Sequence, residues 1–114
     1  MQNELSTRLM TFALRIARMA DALPSGMATR NAADQIIRSS SSAAANYRAS
    51  QRGRSTKDFL NKVGIALEEA DETAFWLDYI EGLGAVSAKR LESLHIEAEE
   101  LVRILATIRK SGGG

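Results

Sequence analysis

Apolar residues in the first stretch of the chain fall at Leu5, Leu9, Phe12, Ile16, Met19 and Leu23. Steps of four and three residues in alternation keep them on one side of a helix. Pro24-Ser25-Gly26 then breaks the pattern. A second helical stretch runs from about Thr29 to Ser50, with a weaker stripe of smaller residues: Ala33, Ile36, Ser40, Ala43, Ala44 and Tyr47. The run Ser39-Ser40-Ser41-Ser42 lies inside it. Serine is a mediocre helix former, so packing must hold this helix, and small side chains let a neighbour approach closely. Gln51-Arg52-Gly53-Arg54 forms the next connection. The third stretch is the clearest, with Phe59, Val63, Ala66, Ala70, Thr73, Leu77 and Ile80 in register. Ser55-Thr56-Lys57-Asp58 precedes it as a capping box with aspartate in place of glutamate, and Gly82-Leu83-Gly84 ends it. Ser87 is a good N-cap for a fourth helix carrying Leu91, Leu94, Ala98, Leu101, Leu105 and Ile108.

Helices of about 20 to 25 residues are each ~30–38 Å long. Short loops favour antiparallel neighbours, so the pattern predicts an all-α, up-down-up-down four-helix bundle over residues 1–110. Ser111-Gly112-Gly113-Gly114 reads as a flexible glycine-rich tail. A hydrophobic share of 45% with a charged share of 25% is that of a folded globular chain and excludes intrinsic disorder. No stretch approaches the ~20 apolar residues of a membrane span, and the opening residues lack the basic start and apolar run of a secretory signal. The expected location is the cytoplasm.

The net charge of +1 hides an asymmetry. Residues 1–57 hold nine Lys and Arg against three Asp and Glu, whereas residues 58–114 hold six against eleven. Such a split marks either a nucleic-acid-binding half or basic helices lying against acidic ones.

Little enzymatic chemistry is available. Without cysteine, disulfides, thiolate metal sites and cysteine nucleophiles are excluded. A di-iron bundle needs Glu-x-x-His on two helices; the single histidine, His95, cannot supply two such motifs and reads as a solvated helix residue. The serine run has no visible activating base, and Gly82-x-Gly84 lacks the strand and lysine of a phosphate loop. The expectation is a non-enzyme with no metal, cofactor or small-molecule substrate.

More informative is a second face on two of the helices. Arg38, Ser42 and Asn46 stack along one side of helix two, away from its apolar stripe. Ile65, Glu69, Glu72, Trp76 and Tyr79 form a matching side of helix three. Arg38 stands at about the height of Glu68 on helix three; its side chain spans a further turn, reaches Glu69 and Glu72, and is expected to pair with one of them. The two sides either widen the contact between helices two and three or, with Ile65, Trp76 and Tyr79, form a subunit interface, where Trp and Tyr are favoured. A third patch is basic: Arg48, Arg52, Arg54 and Lys57 cluster at the second connection and suit phosphate contacts.

The stretch Gln35-Ile36-Ile37-Arg38-Ser39, followed by Ala43-Ala44-Ala45-Asn46-Tyr47-Arg48, Arg54-Ser55-x-x-Asp58-Phe59, Ile65 to Thr73 and Trp76-Leu77, resembles a known family. It is the bacterial four-helix bundle family encoded in intervening sequences of large-subunit ribosomal RNA genes. Arg38, Asn46, Phe59, Ala66 and Glu72 fall at that family's spacings. The resemblance implies an antiparallel four-helix bundle assembled as a homopentameric ring, with a poorly defined function. It also implies kinship with the accessory protein of diversity-generating retroelements, which binds nucleic acid and is more basic than this chain. Two expectations follow. The leading one is a self-associating, non-enzymatic scaffold; the other is a nucleic-acid-binding accessory protein.

Overall fold

Asn3 starts the first helix: its side-chain oxygen accepts hydrogen bonds from the N–H groups of Leu5 (2.8 Å) and Ser6 (3.3 Å). From there the chain forms α1 (Glu4–Asp21), α2 (Met27–Ser50), α3 (Thr56–Leu83) and α4 (Ala88–Gly113). The structure, a computed structural model, describes residues 3–113, and among these no strand forms. The architecture is the four-helix bundle that the periodicity predicts.

The capping signals operate with one change. The Asp58 N–H donates to Ser55 Oγ at 3.1 Å, as in a capping box. The Asp58 carboxylate, however, accepts from the N–H of Arg54 (3.2 Å) and from Lys62 Nζ (2.6 Å). Ser87 Oγ accepts from the Arg90 N–H at 3.3 Å and so caps α4. Of the two glycines that end α3, only Gly84 acts as the stop. It takes φ of +75°, the left-handed conformation that a Cβ disfavours, and its N–H bonds back to the Glu81 carbonyl at 2.9 Å. Gly82 is still helical.

The buried core follows the stripes: Leu9, Phe12 and Ile16 from α1; Ile36 and Tyr47 from α2; Val63, Leu77 and Ile80 from α3; Leu91, Leu101 and Leu105 from α4. Each helix packs on its chain neighbours, and α1 closes the square against α4 much more lightly than it packs on α2. The most extensive helix pairing is α2 with α3, where small residues are buried. Ala43 of α2 and Ala66 and Ala70 of α3 are all buried. Ser39 and Ser40 are buried as well, which accounts for half of the serine run as close-packing residues. Their hydroxyls are not stranded. Thr73 Oγ1 donates to the Glu69 carbonyl (2.9 Å), Ser39 Oγ lies 2.8 Å from Thr73 Oγ1, and the Ile36 carbonyl is a second acceptor for Ser39 at 3.3 Å. Among the described residues no buried side-chain polar atom lacks a partner.

At the far end α4 continues past Lys110, where the sequence reading ended the bundle. Ser111 and Gly112 are helical, and a Cβ on Gly112 would meet Leu60 Cδ2 at 2.9 Å. This turn therefore lies beside the Leu60 side chain at the start of α3. Gly114 lies outside the described residues.

Candidate functional site

The face shared by α2 and α3 is built around Arg38. Its guanidinium donates to Glu69 Oε2 at 2.9 Å and also to Glu72. The sequence reading expects one partner; the arginine fork takes both, because Glu69 and Glu72 are three residues apart and lie on the same side of α3. The two carboxylates hold the Arg38 guanidinium above its ordinary pKa, the Glu72 hydrogen bond most strongly. Arg38 stays exposed, so the cluster is a surface fork. Ser42 and Asn46 do not join it. Asn46 Nδ2 donates to the Ser42 carbonyl (2.9 Å) and to Ser42 Oγ (3.1 Å), closing the lower part of the stripe on α2 itself.

Above the fork, Glu72 also accepts from the Trp76 indole N–H at 3.3 Å. Trp76 is half-buried and packs against the core. It meets Tyr79 edge-on with ring centroids 5.0 Å apart, and Phe75 in the same manner at 5.0 Å. Phe75 is 55% exposed and Tyr79 38%, so these two rings stand out from the surface as a ridge. The sequence reading names Ile65, Trp76 and Tyr79 for this side. Ile65 is exposed on it two turns below Glu72. Phe75 was missed; it falls off both apolar stripes, and only the aromatic cluster Phe75-Trp76 with Tyr79 marked it.

The basic patch is where the sequence puts it. Arg48, Arg52, Arg54 and Lys57 are all exposed. None takes part in an ion pair among the described residues. Asp58 beside them is held by Lys62, whose hydrogen bond is the main reason its carboxyl sits below the usual range.

The sequence model of the family described as 23S rRNA-intervening sequence protein matches residues 1–107. The chain belongs to this family. No curated protein matches it. Among solved structures, it resembles a protein of unknown function from the S23 ribosomal protein family of Bacteroides thetaiotaomicron, with 29% identity and a TM-score of 0.83. The match covers 93% of this chain and 98% of that one. Neither description names an enzymatic activity, and the helices of this family member include none long and apolar enough among the described residues to cross a membrane.

In this member of the 23S rRNA-intervening sequence protein family, three further contacts escaped the sequence reading. Arg8 of α1 grips Glu97 of α4 through two hydrogen bonds (2.7 and 2.8 Å) and reaches Glu100 at 2.6 Å. The contact drives the Arg8 guanidinium up and, through the Arg8 hydrogen bond, the Glu97 carboxyl down. Arg15 donates to Ser93 Oγ at 2.8 Å one step along the same seam. His95 is not solvated as expected: it is half-buried, with Nε2 2.9 Å from Glu81 Oε1 and Nδ1 3.6 Å from Asp78 Oδ1, and so ties α4 to α3. The signal for the Arg8 contact was the opposite charge of the two chain halves, which bundling places side by side.

Proposed function

We propose that the protein is a non-enzymatic scaffold that associates with copies of itself into a ring, five copies being the number the family resemblance implies. The carrying observation is the ridge of Phe75, Trp76 and Tyr79 with Ile65 below it. The core is complete without Phe75 and Tyr79, and exposed aromatic groups of this kind are enriched where surfaces meet. Light scattering and sedimentation at micromolar concentration test it. The expected mass is a multiple of the 12.4 kDa chain, and 12.4 kDa across that range overturns the reading.

A second reading, nucleic-acid binding, is favoured by the four unpaired cations Arg48, Arg52, Arg54 and Lys57, next to an Asp58 already neutralised by Lys62. Phosphate contacts release counterions, so binding would be non-specific in sequence and strongest at low salt, for example ~50 mM. Anisotropy titrations with RNA and DNA compare the wild type with a variant in which all four cations are alanine. No binding by the wild type ends this reading, and equal binding by both proteins moves the site elsewhere.

A further inference from the structure

The ridge on α3 has a counterpart elsewhere on the same chain. Between α1 and α2 runs an open groove of about 430 Å³. Its existence follows from side-chain size: α2 presents Ser41, Ala44, Ala45 and Ala49 towards α1, too small to fill the space between the helices. Met10 and Leu14 stand at its edge, each close to half exposed. Arg48 and Arg52 line one end.

We propose that this groove seats the α3 ridge of a second copy, Phe75 and Tyr79 entering between Met10, Leu14 and Ala45. The proposal rests on the self-association argued above and names the acceptor surface for it. Shape and charge agree. The groove is concave, apolar and basic at its rim. The ridge is convex, aromatic and acidic: Glu68 and Asp71 flank it at helical spacing, while Glu72 is already paired with Arg38. Residues 63–88 contain six Asp and Glu and no Lys or Arg. Glu68 and Asp71 are exposed and carry no ion pair among the described residues, which leaves them available to Arg48 and Arg52.

The alternative pairings are opposed by the same charges. Ridge on ridge would bring two acidic sets face to face, and groove on groove would oppose arginines; like-charge contacts of this kind are strongly disfavoured. Groove and ridge also share no residue, so one copy can use both at once. Pairing two different patches is head-to-tail, and a head-to-tail contact repeats until it closes as a ring or runs on as a filament.

The experiment uses two variants of the full chain. Leu14→Glu with Ala45→Glu spoils the groove; Phe75→Glu with Tyr79→Glu spoils the ridge. All four positions are exposed, and circular dichroism checks that both variants keep the helical content of the wild type. The wild type is expected to assemble, while each variant alone remains at 12.4 kDa. Mixed in equal amounts, the variants are expected to give a species of two chains and nothing larger, since one intact groove meets one intact ridge. Assembly of the groove variant like the wild type overturns the proposal while leaving self-association standing. A monomeric wild type overturns both. If glutamate in the groove disturbs folding, Arg48→Glu with Arg52→Glu reads the same contact from exposed positions. It should weaken assembly about tenfold or more, and Glu68→Lys with Asp71→Lys in the same chain should restore it. Loss of assembly without that restoration also rejects the pairing.

Discussion

Replacing Ser39 tests whether α2 and α3 meet closely because of size or because of polarity. Ser39 is fully buried, and its hydroxyl lies 2.8 Å from Thr73 Oγ1. In Ser39→Ala, Thr73 keeps its own acceptor, the Glu69 carbonyl at 2.9 Å, so no donor is stranded. The loss is one neutral hydrogen bond, about 1 kcal/mol. Alanine returns roughly 0.5 kcal/mol through its better helix propensity. The net cost is therefore about 0.5 kcal/mol, or a fall in Tm of ~2 °C at this chain length. Ser39→Leu keeps the helix propensity but forces a long side chain between buried Ala70, Thr73 and Ala43. Overpacking of this kind costs about 3 kcal/mol, hence a fall of ~12 °C. Urea and thermal unfolding at one fixed protein concentration measure both variants, because assembly alone would shift Tm. Equal destabilisation by alanine and leucine would refute the argument and make the hydroxyl, not the space, the thing α2 contributes.

The other predictions concern the α1–α4 seam and the end of α3. Arg8→Ala should lower stability by about 1 kcal/mol after allowance for solvent screening, since Arg8 and Glu100 are partly exposed; the effect should shrink in molar salt and show in urea midpoints. Glu97 and Asp58 both have lowered pKa values, so each stabilises the fold while ionised, above the ordinary carboxylate range near ~4, and that contribution disappears as pH falls through the folded-state value. The urea midpoint should therefore drop on acidification below about pH 4, and less steeply in Arg8→Ala; an identical slope would remove Arg8 as the cause for Glu97. Gly82→Ala, in a helical position with nothing within 4 Å of the new Cβ, should raise stability by about 0.5–1 kcal/mol in thermal unfolding. Gly84→Ala, at φ of +75°, should lower it by about 1 kcal/mol.

The helices were legible because their apolar residues recur at three and four, and that spacing survives any detail of packing. Pro24 and Gly84 add backbone limits that no tertiary contact relieves. The Arg38 fork was legible too, because α2 and α3 are joined by a short turn near Gly53, which sets their relative height. Arg8 with Glu97 was not, since 89 residues separate them and no turn fixes the register of the first helix against the last. His95 was misread for a related reason. On its own helix it looks polar and outward, and only the lateral position of α3 brings Glu81 to it. The glycines near the end of the chain read as a tail because glycine weakens an isolated helix; the packing of this turn beside Leu60 is a tertiary contact that the pattern does not mark. The groove was invisible because it consists of what small residues leave empty.

The light seam between α1 and α4 gives the bundle an opening side. α1 is the shortest of the four helices; Leu9, Phe12 and Ile16 bury its inner face, while its light direct contact with α4 carries the polar links of Arg8 to Glu97 and Glu100 and of Arg15 to Ser93. A lightly packed seam of this kind is where local opening is expected to begin. The other three helices form a trough by themselves, and α1 is its cover. Yet the cover is also one wall of the groove proposed to receive the neighbouring copy. A subunit whose first helix has swung away has nothing to offer that neighbour, and a neighbour in place keeps the helix from swinging. Under the proposed assembly, closing the subunit and joining the ring become a single thermodynamic step, and dilution is then expected to loosen each bundle at its N-terminal helix.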